Sequence, residues 1–169
     1  MSDRFPARIH IGGQVPIALV KGLCEAIQAD GASLDYGEAA FDPQGAADLL
    51  EAVRDGRGTL RLCDDQACYG EFENTEAFCQ EHAIAFDRHS DGKYEYDAER
   101  VMFRSGMKEP RCFGATQDDR LTAPVSEIHR QVYPPLKRGH NKAALEVLHD
   151  ICGDTIPALK RFRIVQLGA

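Results

Sequence analysis

The chain has 169 residues, 43% of them apolar and 28% charged, with 27 acidic and 20 basic side chains and a formal charge of −7. That balance excludes a disordered or fibrous chain and supplies a core, so one domain or two small ones are expected. Overall acidity also argues against a general nucleic-acid binder, because neutralising phosphates takes clustered Lys and Arg. The charge is uneven: residues 1–100 carry 20 acidic and 9 basic side chains, whereas residues 101–169 carry 7 and 11. The two parts attract each other or face different partners, and the basic part is where a small anion or a nucleic acid would bind.

A membrane-spanning helix needs about 20 mostly apolar residues. The longest uncharged stretch near the start, Ile9 to Val20, is interrupted by His10, Gly12, Gly13, Gln14 and Pro16. No basic segment leads into an apolar run at the start, so the expected location is cytoplasmic rather than secretory. The six cysteines, Cys24, Cys63, Cys68, Cys79, Cys112 and Cys152, are then free thiols, several of them buried as small apolar groups.

In chain order, Ala7 to Ile11 alternates and meets Gly12-Gly13, which suits a short strand and a turn. Pro16 fits a first helical position, and Val20, Leu23, Cys24 and Ile27 make one apolar stripe before Asp30-Gly31. Ser33 to Gly37 reads as a second short strand. Asp42-Pro43 signals a second helix, with Ala46, Leu49, Leu50 and Val53 as its stripe and Asp55-Gly56 as its stop. Thr59 to Cys63 is a strand, Asn74 to His82 a short helix, and Ile84 to Asp97 a hairpin turning at Ser90-Asp91-Gly92. Arg100 to Arg104 is a further extended segment.

Ser105 to Pro124 has no periodicity and is punctuated by Gly106, Pro110, Gly114 and Pro124, so it is expected to be a long loop or linker. A brief helix over Ser126 to Val132, a Pro134-Pro135 joint and an amphipathic helix from Asn141 follow, the last burying Ala144, Leu145, Leu148, Ile151 and Cys152. Lys160 to Leu167 reads as a strand that pairs with the sheet edge or with a second copy. The expected organisation is an α+β core over residues 1–104, a loop over 105–124 and an α-α-β segment over 125–169 packed on the core. The expected fold is a ferredoxin-like split βαβ sandwich with an inserted helix and a β-hairpin extension, with a three-layer α/β sheet as the alternative.

The phosphate-cradling loop G-x-x-x-x-G-K-[ST] is absent, Gly12-Gly13 lacks the third glycine of a dinucleotide turn, and neither H-E-x-x-H nor G-x-S-x-G occurs. Cys63, Cys68, Cys79 and His82 have the residue types of a zinc site. Their C-x4-C-x10-C-x2-H spacing is non-standard, however, and core thiols explain them better. Asp87, His89 and Asp91 with Gly92 imitate the start of a calcium loop, but His89 is a poor ligand for a hard cation and Ala98 stands where a bidentate glutamate is needed, so a solvated turn is the simpler reading. Asp64, Asp65 and Cys68 are the residues a small metal- or cysteine-dependent enzyme would use, with His10, His82 or His89 as candidate bases; a solvated loop is the competing account. Tyr94, Tyr96, Tyr36 and Phe86 line either the core or a protein interface.

Around the double proline, Arg130, Lys137, Arg138, His140 and Lys142 form a basic cluster at the start of the last long helix, suited to a phosphate or carboxylate group. Arg161 and Arg163 would extend it or meet the acidic body. The leading expectation is a non-enzymatic protein-binding or assembly module that self-associates through a sheet edge. The alternatives are the enzyme using the Cys63 to Tyr69 loop and an anion or nucleic-acid binder working through the basic C-terminal segment. No resident metal or cofactor and no membrane partner is expected.

Overall fold

The computed structural model describes residues 3–55, 58–93 and 97–166. Its elements run β1 (Arg4–Gly12), β2 (Gln14–Pro16), α1 (Val20–Asp30), α2 (Ala46–Asp55), β3 (Leu60–Cys68), α3 (Glu73–Glu81), β4 (Ala85–Ser90), β5 (Glu99–Phe103), β6 (Arg111–Ala115), β7 (Leu121–Thr122), α4 (Val125–Gln131), α5 (Tyr133–Lys137), α6 (Asn141–Ile151) and β8 (Arg163–Val165). The fold is α+β: six strands form an antiparallel sheet in the order β3-β1-β4-β5-β6-β7, and β2 pairs with β8 in a separate two-stranded parallel ribbon. No helix among the described residues is long and apolar enough to cross a membrane.

Strand β1 sets the layering. Phe5, Ala7, Ile9 and Ile11 are buried on one face, and Arg8 and His10 point to the other, as period-two patterning requires. Across from them Leu60 and Leu62 of β3 and Phe86 of β4 continue the apolar face, which α1, α2 and α3 cover with Leu23, Ile27, Leu49 and Cys79. The stripe Val20, Leu23, Cys24 and Ile27 is buried as expected, and α1 stops at Gly31 in the left-handed conformation (φ 66°). Asp30, the last residue of α1, accepts hydrogen bonds from the Asn74 and Thr75 backbone amides (3.0 and 2.8 Å) and caps α3 from outside that helix.

One β-α-β unit is split as expected, because β3-α3-β4 straddles β1. The order departs from a ferredoxin-like pair of interleaved units at β1 and β3, which are joined through α1 and α2 yet lie side by side and antiparallel. Pro16 ends β2 rather than opening α1, and a 3-10 turn over Ile17–Leu19 intervenes. Asp42 does not cap α2. It accepts from the Gln28 amide (2.6 Å), and Asp48 takes the Gln44 backbone N–H instead (2.7 Å). Ser33 contributes only an isolated bridge to Cys63 rather than a strand.

The expected hairpin partner of Ile84 to Arg88 falls largely on residues 94–96, which lie outside the described residues together with Tyr94 and Tyr96. Strand β4 takes β1 and β5 as its two neighbours. The segment 105–124, expected to be a loop, supplies β6 and β7. Its pattern is faint because Phe113 alone in β6 is buried and β7 is two residues long. Helix α6 buries only Ala144; Leu145 is half exposed, and the main neighbours of the helix are α4 and α5. The last segment forms β8 on β2 instead of joining the main sheet.

Candidate functional site

The residues singled out for metal or thiol chemistry do not converge. Cys63 is buried on β3 with its Sγ 3.5 Å from the Ser33 hydroxyl, and burial pushes its thiol above the ordinary value. Cys79 is fully enclosed in the core, with the same direction of shift for the same reason. Cys68 is exposed at the end of β3, and the His82 ring packs tilted against Phe78 with centroids 4.4 Å apart. No group of three or more His, Cys, Asp or Glu side chains among the described residues is arranged to hold a metal ion.

The Asp64 to Cys68 segment is strand rather than loop, because β1 pairs with β3 as far as Arg4↔Cys68. Asp64 accepts from the Gln66 amide and Asp65 from the Gly37 amide (2.8 Å each), so both carboxylates serve the backbone. Nor do Asp87 and His89 belong to a solvated turn. They lie in β4, with His89 buried and its Nε2 3.0 Å from the Thr116 carbonyl. Phe86 is a core residue and Tyr36 is exposed, so those two make no common aromatic surface.

Two charged networks are paired internally. On the core face, buried Arg88 sits 2.7 Å from Glu76 of α3 and 2.7 Å from Glu99 of β5, and donates to the Gly70 carbonyl and the Ser90 hydroxyl. Burial raises Glu76 to about 7 against the opposing pull of Arg88. Burial alone would raise Glu99 too, but the Cys112 thiol and Arg88 outweigh it and hold that carboxyl below its ordinary range. On the opposite face, Asp119 serves Arg8 and Arg100 (3.3 and 3.5 Å), and Asp87 serves Arg100 and Arg104 (3.7 and 2.6 Å). Among these charges His10 is held below its ordinary value by burial and by Arg61 and Arg8.

A further group of cations gathers elsewhere. After α6 the chain crosses the end of the sheet and is tied down along its length. The Arg104 Nε donates to the Pro157 carbonyl (2.7 Å), the Gly13 amide to the Lys160 carbonyl (3.1 Å), the Phe162 amide to the Gly58 carbonyl and the Arg163 amide to the Gly13 carbonyl (2.8 Å each). Phe162 is buried in the main core, and its neighbours Arg161 and Arg163 are left exposed. Two cavities adjoin this strap. The larger, about 810 Å³, is bordered by Arg104, Lys160, Arg161 and Arg163, by Gln14 and His82 and by small residues; the smaller, about 520 Å³, has Arg54, Arg161 and Arg163. Arg161 and Arg163 thus belong to both.

Among the residues whose side chains are described, no Asp or Glu borders either cavity and no carboxylate lies within ion-pair distance of Arg54, Lys160, Arg161 or Arg163. Family models, curated proteins and solved structures gave no match. The cleft's own chemistry therefore carries the functional reading. Guanidinium groups offer paired donors that fit carboxylate and phosphate oxygens, and cavities of a few hundred Å³ suit small molecules. Glycines make room for the strap: a Cβ on Gly58 (φ +96°) would lie 3.3 Å from the Arg161 Cγ.

The basic cluster expected at Arg130, Lys137, Arg138, His140 and Lys142 is exposed on α4, α5 and α6, and none of the five borders a cavity of the cleft. Lys142 meets Glu146 of its own helix at 4.0 Å. Arg161 and Arg163, expected as an extension of that cluster, are instead central to the cleft. Arg54, Arg104 and Lys160 were not singled out from the sequence. The available signal was Lys160-Arg161-Phe162-Arg163, three cations around one aromatic residue in an acidic chain.

Proposed function

We propose that the protein binds an anionic small molecule in the cleft between the β2–β8 ribbon and the end of the sheet. One observation carries this reading: four cations without an acidic partner border two adjoining cavities of a chain whose net charge is −7. Four like charges held close together repel one another, and an anion relieves that repulsion while using their donors. Arg104 belongs to the cleft but is already paired with Asp87, so its role is to fix the strap through Pro157.

The test is equilibrium binding of phosphate, pyrophosphate, sulfate and citrate at low ionic strength, followed by calorimetry and by the rise in melting temperature that binding to the folded state produces. The wild-type protein is expected to bind at least one of them. The Arg161→Ala/Arg163→Ala double variant, which removes no core side chain, is expected to lose that binding while melting, without ligand, no lower than the wild type. Absence of binding by the wild type to every anion at low ionic strength sinks the reading.

A second reading, a protein-docking surface on α4 to α6, draws support from the exposure of Val125, Tyr133, Leu136 and Leu145 beside Arg130, Lys137 and Arg138. Association through the edge of the main sheet has less to work with. Ser33 already pairs with Cys63 on the outer side of β3, and the opposite edge, β7, is two residues long. Sedimentation over a range of concentrations tests self-association, and a monomer throughout removes it.

A further inference from the structure

We propose that the ligand of this cleft is an organic diphosphate, its body in the larger cavity and its charged end crossing Arg161 and Arg163 toward Arg54. The proposal rests on the anion reading and adds the class of molecule. The larger cavity has a mixed lining. Its cations come from the strap and from Arg104, Gln14, His82 and Ser105 add polar groups, and Pro16, Ala83, Ala85, Pro157 and Ala158 add small apolar ones. A bare inorganic ion has no use for that lining, but the carbon skeleton of an ester does.

The smaller cavity has a different composition. Arg54, from the last turn of α2, borders it together with Gly58 and the same two arginines, and among the described residues no polar uncharged side chain does. Because Arg161 and Arg163 border both spaces, a group bound to them in the larger cavity has a second set of donors within the adjoining one. A single phosphate leaves part of this set unused. Two linked phosphates engage it with the second contact made intramolecularly, which strengthens binding without further ordering of a free ion.

Calorimetry in metal-free buffer with inorganic phosphate, inorganic pyrophosphate, adenosine diphosphate and geranyl diphosphate tests this, using the wild type, Arg54→Ala and Ala158→Trp. Both substituted residues are exposed, and circular dichroism melts confirm that the variants fold. Pyrophosphate is expected to bind about tenfold more tightly than phosphate, and at least one of the two esters about tenfold more tightly still. Whichever ester binds tighter tells a nucleoside body from a prenyl one. Arg54→Ala is expected to cost about tenfold for the diphosphates and little for phosphate; Ala158→Trp is expected to bring the esters down to pyrophosphate and leave pyrophosphate unchanged.

Esters that bind no better than pyrophosphate overturn the organic body, and phosphate binding as tightly as pyrophosphate overturns the two-group end. Either outcome leaves the anion reading standing. Failure of all four ligands with the wild type removes both.

Discussion

The backbone carbonyl of Lys160 occupies the space that a side chain on Gly12 would need. A Cβ there would also come within 2.8 Å of Leu159 Cγ, so the strap lies directly on the end of β1 and tolerates nothing larger than hydrogen at that position. Gly12→Ala is therefore expected to lift the strap and to cost about 1–3 kcal/mol of stability, the usual penalty for overfilling a close contact. Limited proteolysis should show new cleavage near residues 157–163, and anion binding should weaken together with the melting temperature. Gly45→Ala, where a Cβ meets nothing within 4 Å, is the matched control and should leave both unchanged.

Asp30 holds the start of α3 from the end of α1, receiving two backbone amides and the Asn74 side-chain amide (2.8 Å). Removing such a cap from a helix start costs about 0.5–2 kcal/mol. Asp30→Ala should lose about that much in urea denaturation with an unchanged slope. Asp30→Asn, which keeps one acceptor oxygen, should fall between. A loss below the error of the measurement for Asp30→Ala would mean that α1 and α3 are held by their apolar contact alone.

The Arg88 network predicts a pH effect. Burial, opposed by Arg88, raises Glu76 to about 7 from an unfolded value near 4.5. The folded protein then keeps a proton that the unfolded chain has released, so this contribution is full below pH 4.5 and is lost as pH rises to about 7. The loss is on the order of 1–3 kcal/mol. His10, held low, acts in the opposite sense near its own titration, and lowered Glu99 and Asp150 act as pH falls through the carboxylate range. Comparison with Glu76→Gln removes these common terms. Relative to the wild type, the variant should gain stability between pH 5 and pH 8; a constant difference across that range would contradict the assignment.

Cysteine chemistry offers an independent check on the same network. The Cys112 thiol donates to Glu99 at 3.0 Å and is pushed up to about 12 by burial and by that carboxylate. Because the thiolate is the reactive form, Cys112 should alkylate more slowly at pH 8 than the exposed Cys68 and Cys152, although it too is exposed. Cys24, Cys63 and Cys79 are buried and should react only on unfolding. Peptide mapping after timed alkylation gives the order, and Glu99→Gln should speed Cys112 selectively.

The elements that were legible in the sequence are those with a local, repeated apolar signal. The stripe of α1 places four core residues correctly and the alternation of β1 places three, since every turn or every second residue repeats the same message. Strand β6 carries one buried residue, and β2 and β8 have three residues each, too few for any period to declare itself. In α6, Leu145 and Leu148 have helical spacing whether or not anything covers them, so the pattern gave the helix and misplaced its burial. The cleft was only half visible. Arg161 and Arg163 stand out in the chain, but Arg54 and Arg104 reach the same place through the packing of α2 and β5, which no short window contains.

The ribbon of β2 and β8 joins Gln14 to Arg163, positions far apart in the sequence. Contacts of such long sequence separation are slow to form and depend on everything between them. The cleft therefore does not exist until β8 has found β2, even when α1 and β1 are already docked. On the proposed reading, capture of an anion would report that closure, and loss of capture would be an early sign of its opening.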